Sequence, residues 1–325
     1  MVDRSRREFL KKTATGAAAA VIPFANVRIP VIDVTVEELL QSHYKEMSEE
    51  EKQRVIERLK KEYKEKYGID ATIKTTPPKE GVVWGYALNI QKCIGCRRCV
   101  YACVRENNQS RANPKEPWRG EIQWIRVLEF EKYEIHPGGK ARDFRTKFGE
   151  VLAGINLEES EHYYYPEQVP EKDKFYMPIQ CQQCERPPCV KVCPTKATWK
   201  EPDGIIVVDY NWCIGCRFCI AACPYWARRF NWSDPYIPPE EINPRMHYLG
   251  NRIRMRGVVE KCTFCIQRTR EGRYPACVEI CPVGARKFGN LLDPESDVRK
   301  VLEKKRVFRL KEELGTHPKF FYFID

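Results

Sequence analysis

The chain has 325 residues and a formal net charge of +11, and it contains sixteen cysteines but only five histidines. It has no nucleotide-binding glycine loop and no pairing of a nucleophile with a base that would suggest a catalytic site of its own. The histidines are scattered, which is more typical of structural or solvated positions; they are His43, His136, His162, His247 and His317. The chemistry of the chain is therefore expected to lie in its cysteines.

The first residues predict export from the cytoplasm. The run from Ser5 to Lys11, Ser-Arg-Arg-Glu-Phe-Leu-Lys, closely resembles a twin-arginine signal, and a weakly apolar, alanine-rich stretch follows over residues 14–25. This stretch is too short to span a bilayer, which takes about 20 apolar residues. We predict a signal over residues 1–25. The alternative is an ordinary basic N-terminus on a cytosolic protein, and cleavage of the signal stays open.

Residues 26–81 contain no cysteine and are predicted to form an N-terminal helical arm. Ser48 followed by Glu51 is a capping box, which predicts a helix that continues to about Tyr67 and stops at Gly68. Its apolar residues have helical spacing but form only a narrow stripe. Such a stripe favours packing on the same protein, and an arm that reaches across a neighbouring subunit is the alternative.

The sixteen cysteines fall into four quartets with none left over. The first and third have the spacing C-x2-C-x2-C-x3-C of bacterial ferredoxins, the second and fourth have a displaced third cysteine, and three of the four end in Cys-Pro. The quartets are Cys93, Cys96, Cys99 and Cys103; Cys181, Cys184, Cys189 and Cys193; Cys213, Cys216, Cys219 and Cys223; and Cys262, Cys265, Cys277 and Cys281. This repeated spacing indicates four 4Fe-4S clusters.

The gaps between quartets predict how they share clusters. Residues 194–212 separate the second and third quartets, whereas the longer stretches 104–180 and 224–261 isolate the first and the fourth. In two-cluster ferredoxins the fourth cysteine of each run ligates the other cluster. The exchange gives site 1 (Cys93, Cys96, Cys99, Cys281), site 2 (Cys262, Cys265, Cys277, Cys103), site 3 (Cys181, Cys184, Cys189, Cys223) and site 4 (Cys213, Cys216, Cys219, Cys193).

The sequence around the quartets predicts an α+β fold of two ferredoxin-like two-cluster modules, the inner inserted within the outer. Short strands are expected before the first and third quartets, at 84–90 and 204–209, and a short helix or loop after each fourth cysteine. The predicted divisions are the outer module (82–104 and 253–290), an insert subdomain (105–175), the inner module (176–232), a connecting loop (233–252) and a C-terminal tail (291–325). Within the insert we expect a strand at 123–129, a turn at 136–139 and an aromatic run at 163–165.

Four aromatic residues crowd the third quartet, and we interpret them as packing that keeps water off a cluster. They are Trp212, Phe218, Tyr225 and Trp226. A dry environment would tune the reduction potential.

Iron–sulfur clusters explain the cysteines and the charge better than four alternatives do: disulfides, structural zinc, haem attachment and nucleic-acid binding. Disulfides fit poorly, because cysteines two residues apart come in unbroken triplets. Structural zinc uses separated Cys-x2-Cys pairs and gives the triplets no role, and no such pair is followed by the His of a haem-attachment motif. Four clusters would remove about eight positive charges and the signal carries about +3, so the mature protein is expected to be near neutral and nucleic-acid binding loses its support.

The order and spacing of the quartets resemble the four-cluster iron–sulfur subunits of the molybdopterin oxidoreductase superfamily. Such subunits occur in dimethyl sulfoxide, polysulfide and tetrathionate reductases, in formate-dependent nitrite reductase systems and in the transmembrane redox complexes of sulfate reducers. The resemblance spans about residues 82–289 and extends to the run Lys-Glu-Glu-Leu-Gly-Thr at 311–316. Nitrate reductase has a Trp and a three-iron cluster where this chain has Cys216, so four cubanes are implied. One departure is Val104, which stands where Pro would follow the fourth cysteine.

The resemblance implies an electron-transfer subunit that converts no small-molecule substrate. It would relay single electrons between a catalytic subunit, of molybdopterin type, and a membrane subunit that reacts with quinone, or a multihaem cytochrome c in its place. With its own export signal, it is expected on the periplasmic side of the cytoplasmic membrane. A free-standing periplasmic polyferredoxin carrier is the alternative, and a zinc-stabilised interaction module is a weaker one. The terminal donor or acceptor, the direction of electron flow and the cluster potentials stay open.

Overall fold

The computed structural model describes residues 47–113, 121–131, 169–172 and 174–325. The helices are α1 (Glu49–Tyr67), α2 (Arg98–Glu106), α3 (Pro188–Lys191), α4 (Phe218–Ala221), α5 (Ile266–Thr269), α6 (Ala276–Glu279) and α7 (Asp297–Lys304). The strands are β1 (Thr72–Lys74), β2 (Trp84–Asn89), β3 (Arg126–Glu131), β4 (Lys174–Ile179), β5 (Thr198–Lys200), β6 (Ile206–Val208), β7 (Arg228–Phe230), β8 (Arg245–His247), β9 (Val259–Lys261), β10 (Arg286–Asn290), β11 (Val307–Phe308) and β12 (Phe320–Phe323). This mixed content confirms the α+β class, while the nested two-module arrangement stays a prediction.

Some sequence-based predictions fall outside the described residues. These are the signal at 1–25, the turn at 136–139 and the aromatic run at 163–165. In the described part of the chain, no helix is both long and apolar enough to cross a membrane.

Helix α1 begins and ends as the sequence predicts. The Glu51 amide donates to Ser48 Oγ (3.2 Å), the Ser48 amide donates to the Glu51 carboxylate (2.8 Å), and Gly68 ends the helix with φ of 70°. The Tyr63 hydroxyl donates to the Ile253 carbonyl at 3.1 Å. The buried face of α1 packs against Ile237, Ile242, Met246, Tyr248 and Ile253. Its apolar stripe is therefore covered by the chain's own residues.

A four-stranded sheet joins distant parts of the chain beside the cysteines. Its order is β10-β2-β12-β11, with β2 antiparallel to β10 and parallel to β12. Strand β2 leads into the first quartet and β10 follows the fourth, so their pairing brings these two quartets together. Residues 85–89 of β2 are buried on both faces, because β12 and α7 cover the side that an alternating strand would expose to water. The segment predicted as a tail therefore contributes a central strand to the sheet.

Short antiparallel ladders hold the remaining quartets. β5 pairs with β6 between the second and third quartets, and β7 pairs with β9, which leads into the fourth. β3 pairs with β4, which leads into the second quartet, and lies within the predicted insert. The predicted strand at 123–129 thus begins at Arg126 and reaches Glu131.

The short helices of the cysteine quartets begin before the fourth cysteine of each. Helices α2, α3, α4 and α6 each contain the third cysteine of a quartet, and where Pro follows the fourth cysteine the chain turns into a strand, β5, β7 or β10. Of the two predicted alternatives after each fourth cysteine, a helix or a loop, the structure has a short loop at these three places. Proline has no amide hydrogen and disfavours a helical conformation at the preceding residue, so the helix ends before Cys-Pro.

Two cluster loops share a glycine that cannot be replaced without strain. Gly95 and Gly215 lie in the same Cys-Ile-Gly-Cys context, with φ of 75° and 73°. A Cβ on Gly215 would lie 2.2 Å from the Gly257 carbonyl oxygen, whereas a Cβ on Gly284, with φ of 59°, would meet nothing within 4 Å.

We expect Gly215→Ala to destabilise the protein more than Gly284→Ala. Both substitutions force an L-residue into the left-handed region, at about 1–2 kcal/mol, but only the first also displaces a backbone carbonyl. Thermal unfolding of the metal-loaded chain measures the difference. Equal losses of stability in the two variants would show that the close approach to Gly257 is unimportant.

Candidate metal centres

The structure brings the four cysteines of site 1 together around one cavity, and those of site 3 around another. The cavity at site 1 is lined by Cys93, Cys96, Cys99 and Cys281. The cavity at site 3 is lined by Cys181, Cys184, Cys189 and Cys223. In both cases the fourth cysteine comes from another quartet, as the exchange rule requires.

At sites 2 and 4, the thiols that we assign to one site raise one another's pKa, so they lie close together. Burial and the thiols of Cys265, Cys262 and Cys277 raise the pKa of Cys103 well above its ordinary value. Burial raises the pKa of Cys213, and the thiols of Cys193 and Cys216 add to the effect. All sixteen cysteines are free, so the structure gives the disulfide alternative no support.

The sites follow one another in the order 1, 2, 3, 4. Thiols of neighbouring sites interact electrostatically, in the pairs Cys99 with Cys277, Cys181 with Cys262, and Cys189 with Cys219. The cysteines of sites 2 and 3 are all buried. Cysteines at the two ends are partly exposed, namely Cys93, Cys96 and Cys281 at site 1 and Cys193 and Cys216 at site 4. The row therefore has a buried middle and two ends near the surface.

The donor set and its spacing fit a cluster better than a single ion. In the described part of the chain, no three His, Cys, Asp or Glu side chains come together in a way that could hold one metal ion. Zinc draws four sulfurs in to bonds of about 2.3 Å, whereas a 4Fe-4S cluster is held from outside by four spaced thiolates. At site 3 the buried Arg228 lines the cavity, and its Nε has no hydrogen-bond partner among the described residues. An anionic group in that cavity would satisfy this donor.

Burial controls the protonation of the thiols. It raises the pKa of Cys93, Cys184 and Cys262 to about 12, and that of Cys219 to about 11. Such thiols are protonated near neutral pH, so they bind iron only by releasing their protons. The free energy of metal binding must therefore compensate for burying thiolates, which couples metal loading to folding.

The departure at Val104 has a structural consequence at site 2. Without proline after Cys103, α2 continues to Glu106, and the buried amides of the next turn reach back to the thiols. Gln109 Nε2 donates to Cys103 Sγ at 3.1 Å, and Asn107 Nδ2 lies 3.6 Å from Sγ of both Cys103 and Cys265. Sequence reasoning missed these two residues, and the run Asn-Asn-Gln after the fourth cysteine was the only signal for them.

The aromatic residues near the third quartet have different roles. Tyr225 is buried and its hydroxyl lies 2.5 Å from Thr316 Oγ1, so the C-terminal segment closes over site 3. Trp226 and Phe218 are 54% and 59% exposed. The interpretation that all four exclude water from a cluster was therefore wrong for these two. Phe218 is the first residue of α4 and Trp226 lies in the loop before β7, and both side chains face the surface.

Comparisons with known proteins agree with this chemistry. A family described as "4Fe-4S dicluster domain" matches residues 172–237 and 250–291, and a second family with the same description matches residues 92–197. Together they cover all four quartets.

Named relatives cover most of the chain. It is 44% identical over 230 residues to one of the chains of polysulfide reductase from Wolinella succinogenes (70% of this chain, 87% of that protein). It is 36% identical to Hdr-like menaquinol oxidoreductase iron-sulfur subunit 1 of Archaeoglobus fulgidus (74% and 82%). It is 33% identical to one of the subunits of selenate reductase from Mesobacillus selenatarsenatis (98% and 96%).

We expect Cys281→Ser to harm folding more than Cys96→Ser, although both change a partly exposed thiol of site 1. Each should lose one cluster, about four irons per chain. Of the two, only Cys281 links the loop after β2 to the segment before β10 through the shared cluster. Its loss therefore also removes a link between two distant parts of the chain. Iron analysis and thermal unfolding measure the two effects. Equal unfolding temperatures would contradict the crossing role of Cys281.

Proposed function

Because the chain belongs to the family of 4Fe-4S dicluster electron-transfer subunits associated with molybdopterin oxidoreductases, we propose that it relays single electrons through four 4Fe-4S clusters. The chain is an electron-transfer iron–sulfur subunit of a respiratory oxidoreductase complex, and a partner subunit carries out the substrate chemistry. The observation that carries the proposal of four clusters is the gathering of sixteen free thiols into four quartets.

We assign one cluster to each of sites 1 to 4, with the four cysteines of each site as its ligands. A bound 4Fe-4S cluster takes up and releases one electron at a time, between its 2+ and 1+ levels. The chain's own residues fix the thiolates, bury sites 2 and 3 away from water, and leave sites 1 and 4 near the surface. Electrons would enter at one end of the row and leave at the other.

The partners follow from this arrangement and from the relatives. A menaquinol oxidoreductase supports a membrane subunit that reacts with quinone, and polysulfide and selenate reductases support a catalytic subunit, of molybdopterin type. We propose that these two kinds of subunit dock at opposite ends of the row. A multihaem cytochrome c could take the place of the membrane subunit.

The test of the four-cluster proposal is the iron and acid-labile sulfide content of protein purified without oxygen. We expect about sixteen of each per chain and four reducible centres in a redox-titrated electron paramagnetic resonance spectrum. Zinc without sulfide would overturn the proposal. Purification from membranes distinguishes the subunit from the free-standing carrier, because a carrier would be recovered alone in the soluble fraction.

We also propose that the chain is exported by the twin-arginine route to the periplasmic side of the cytoplasmic membrane. The support is the run Ser-Arg-Arg-Glu-Phe-Leu-Lys at residues 5–11. Export of folded protein suits a chain that must acquire its clusters in the cytoplasm.

Changing Arg6 and Arg7 together to Lys should leave the protein in the cytoplasm. The charge is unchanged, so a loss of export would reflect recognition of the arginine pair. Cell fractionation with detection of the chain measures the outcome, and Arg4→Lys is the matched control outside the pair. Normal export of the double variant would contradict a twin-arginine signal.

A further inference from the structure

Two buried arginines occupy equivalent places beside the metal sites. Arg228 and Arg286 each stand five residues after a fourth cysteine, in the repeated sequence Cys-Pro-x-x-Ala-Arg. Each is the first residue of a strand, β7 or β10, and each is 3% exposed. The strand that follows the Cys-Pro turn therefore carries the side chain into the interior, next to the thiols.

Arg286 contacts site 1 directly and site 2 through a tyrosine. Its Nη2 donates to Cys99 Sγ of site 1 at 3.1 Å, and its Nη1 donates to the Tyr86 hydroxyl at 2.8 Å. That hydroxyl lies 3.4 Å from Cys277 Sγ of site 2. A metal-bound thiolate has no proton, so Tyr86 must be the donor to it. The guanidinium and the hydroxyl thus form a chain of donors from one site to the next.

Arg228 contacts site 3 directly, and its charge also acts on site 4. Its Nη2 donates to Cys189 Sγ of site 3 at 3.1 Å and to Thr198 Oγ1 at 2.9 Å. Its charge also acts on Cys219 of site 4. No carboxylate is within ion-pair distance of Arg228 or Arg286 among the described residues, whereas the buried Arg252, Arg254 and Arg270 each have at least one. The countercharge of these two arginines is therefore the thiolates.

We propose that Arg286 and Arg228 are positioning residues that each hold one positive charge between two neighbouring clusters and raise the reduction potentials of both. The inference rests on the proposed four-cluster function. Reduction adds one negative charge to a cluster, and a nearby buried cation stabilises that charge more strongly than it would in water. Arginine keeps its charge under all physiological conditions.

Sharing the cation has a consequence for transfer within each pair. When an electron passes from one cluster to its neighbour, the first is oxidised from 1+ to 2+, the second is reduced from 2+ to 1+, and the total charge of the pair does not change. A guanidinium between the two stabilises the electron at either site. It therefore makes the pair easier to reduce without trapping the electron on one member.

The test is a redox titration of the anaerobically purified full chain, followed by electron paramagnetic resonance. In Arg286→Met, the centres of sites 1 and 2 should shift to more negative potentials, while those of sites 3 and 4 stay in place. Arg228→Met should give the reverse pattern. Arg286→Lys, which keeps a charge, should shift the centres less than Arg286→Met. Site 1 is identified by the signal that disappears in Cys96→Ser.

Lys287→Met is the matched control. Lys287 follows Arg286 in β10 and is 39% exposed at its side chain, where it lies 4.0 Å from Asp297. Removing its charge should move none of the four potentials. The inference is overturned if Arg286→Met holds its full iron with all potentials unchanged, or if both arginine variants move the same two centres.

If Arg286→Met does not assemble its clusters, a second variant still tests the inference. Tyr86→Phe keeps the ring and removes only the hydroxyl, so the centre of site 2 should shift to a more negative potential while sites 3 and 4 are unaffected. An unchanged site 2 in this variant would overturn the donor chain through Tyr86. Failure of the proposed function is distinct, because the wild-type chain would then lack iron, sulfide and reducible centres.

Discussion

Sixteen thiols gathered into four sites, eleven of them buried, impose the condition that the rest of this fold must meet. Burial raises the pKa of thiols such as Cys103 and Cys262, and neighbouring thiols raise it further, because thiolates in a dry environment repel each other. They can be buried as thiolates only if positive charge and hydrogen-bond donors are supplied close by. In the proposed clusters iron supplies most of the charge. The protein adds two guanidinium groups and the amides of Asn107 and Gln109.

The protein around the sites is built to hold loops that are far apart in sequence. Pairing of β2 with β10 joins the first quartet to the fourth, and pairing of β7 with β9 joins the third to the fourth. The aromatic rings of Tyr86, Phe264, Phe288 and Phe320 pack together, and those of Tyr86 and Phe320 are stacked with their centres 4.5 Å apart. Metal binding and strand pairing therefore stabilise the same contacts, so loss of a cluster should loosen the protein as well as remove a redox centre.

Buried ion pairs hold several of the chain's arginines in the interior. Arg254 pairs with Glu260 at 2.7 Å and Arg252 with Asp209 at 3.1 Å, and all four side chains are almost fully buried. The Trp124 ring nitrogen and Asn231 donate to the same Glu260. Breaking such a pair leaves an uncompensated buried charge, which is strongly destabilising. Each such pair is neutral, so it places a basic residue in the interior without adding to the net charge of +11.

The sequence by itself determined the chemistry and the local structure. Cysteine spacing defined the four quartets, and local patterns predicted α1 with its caps and the strands β2 and β6, because ligand spacing, capping and alternation are properties of neighbouring residues. Only the tertiary structure decided that the C-terminal segment enters the sheet as β12, that Asn107 and Gln109 reach the thiols of site 2, and that Arg228 and Arg286 donate to thiols of sites 3 and 1. These features depend on contacts between residues far apart in the chain. A sequence pattern records which residues are present, but three-dimensional packing decides which of them meet.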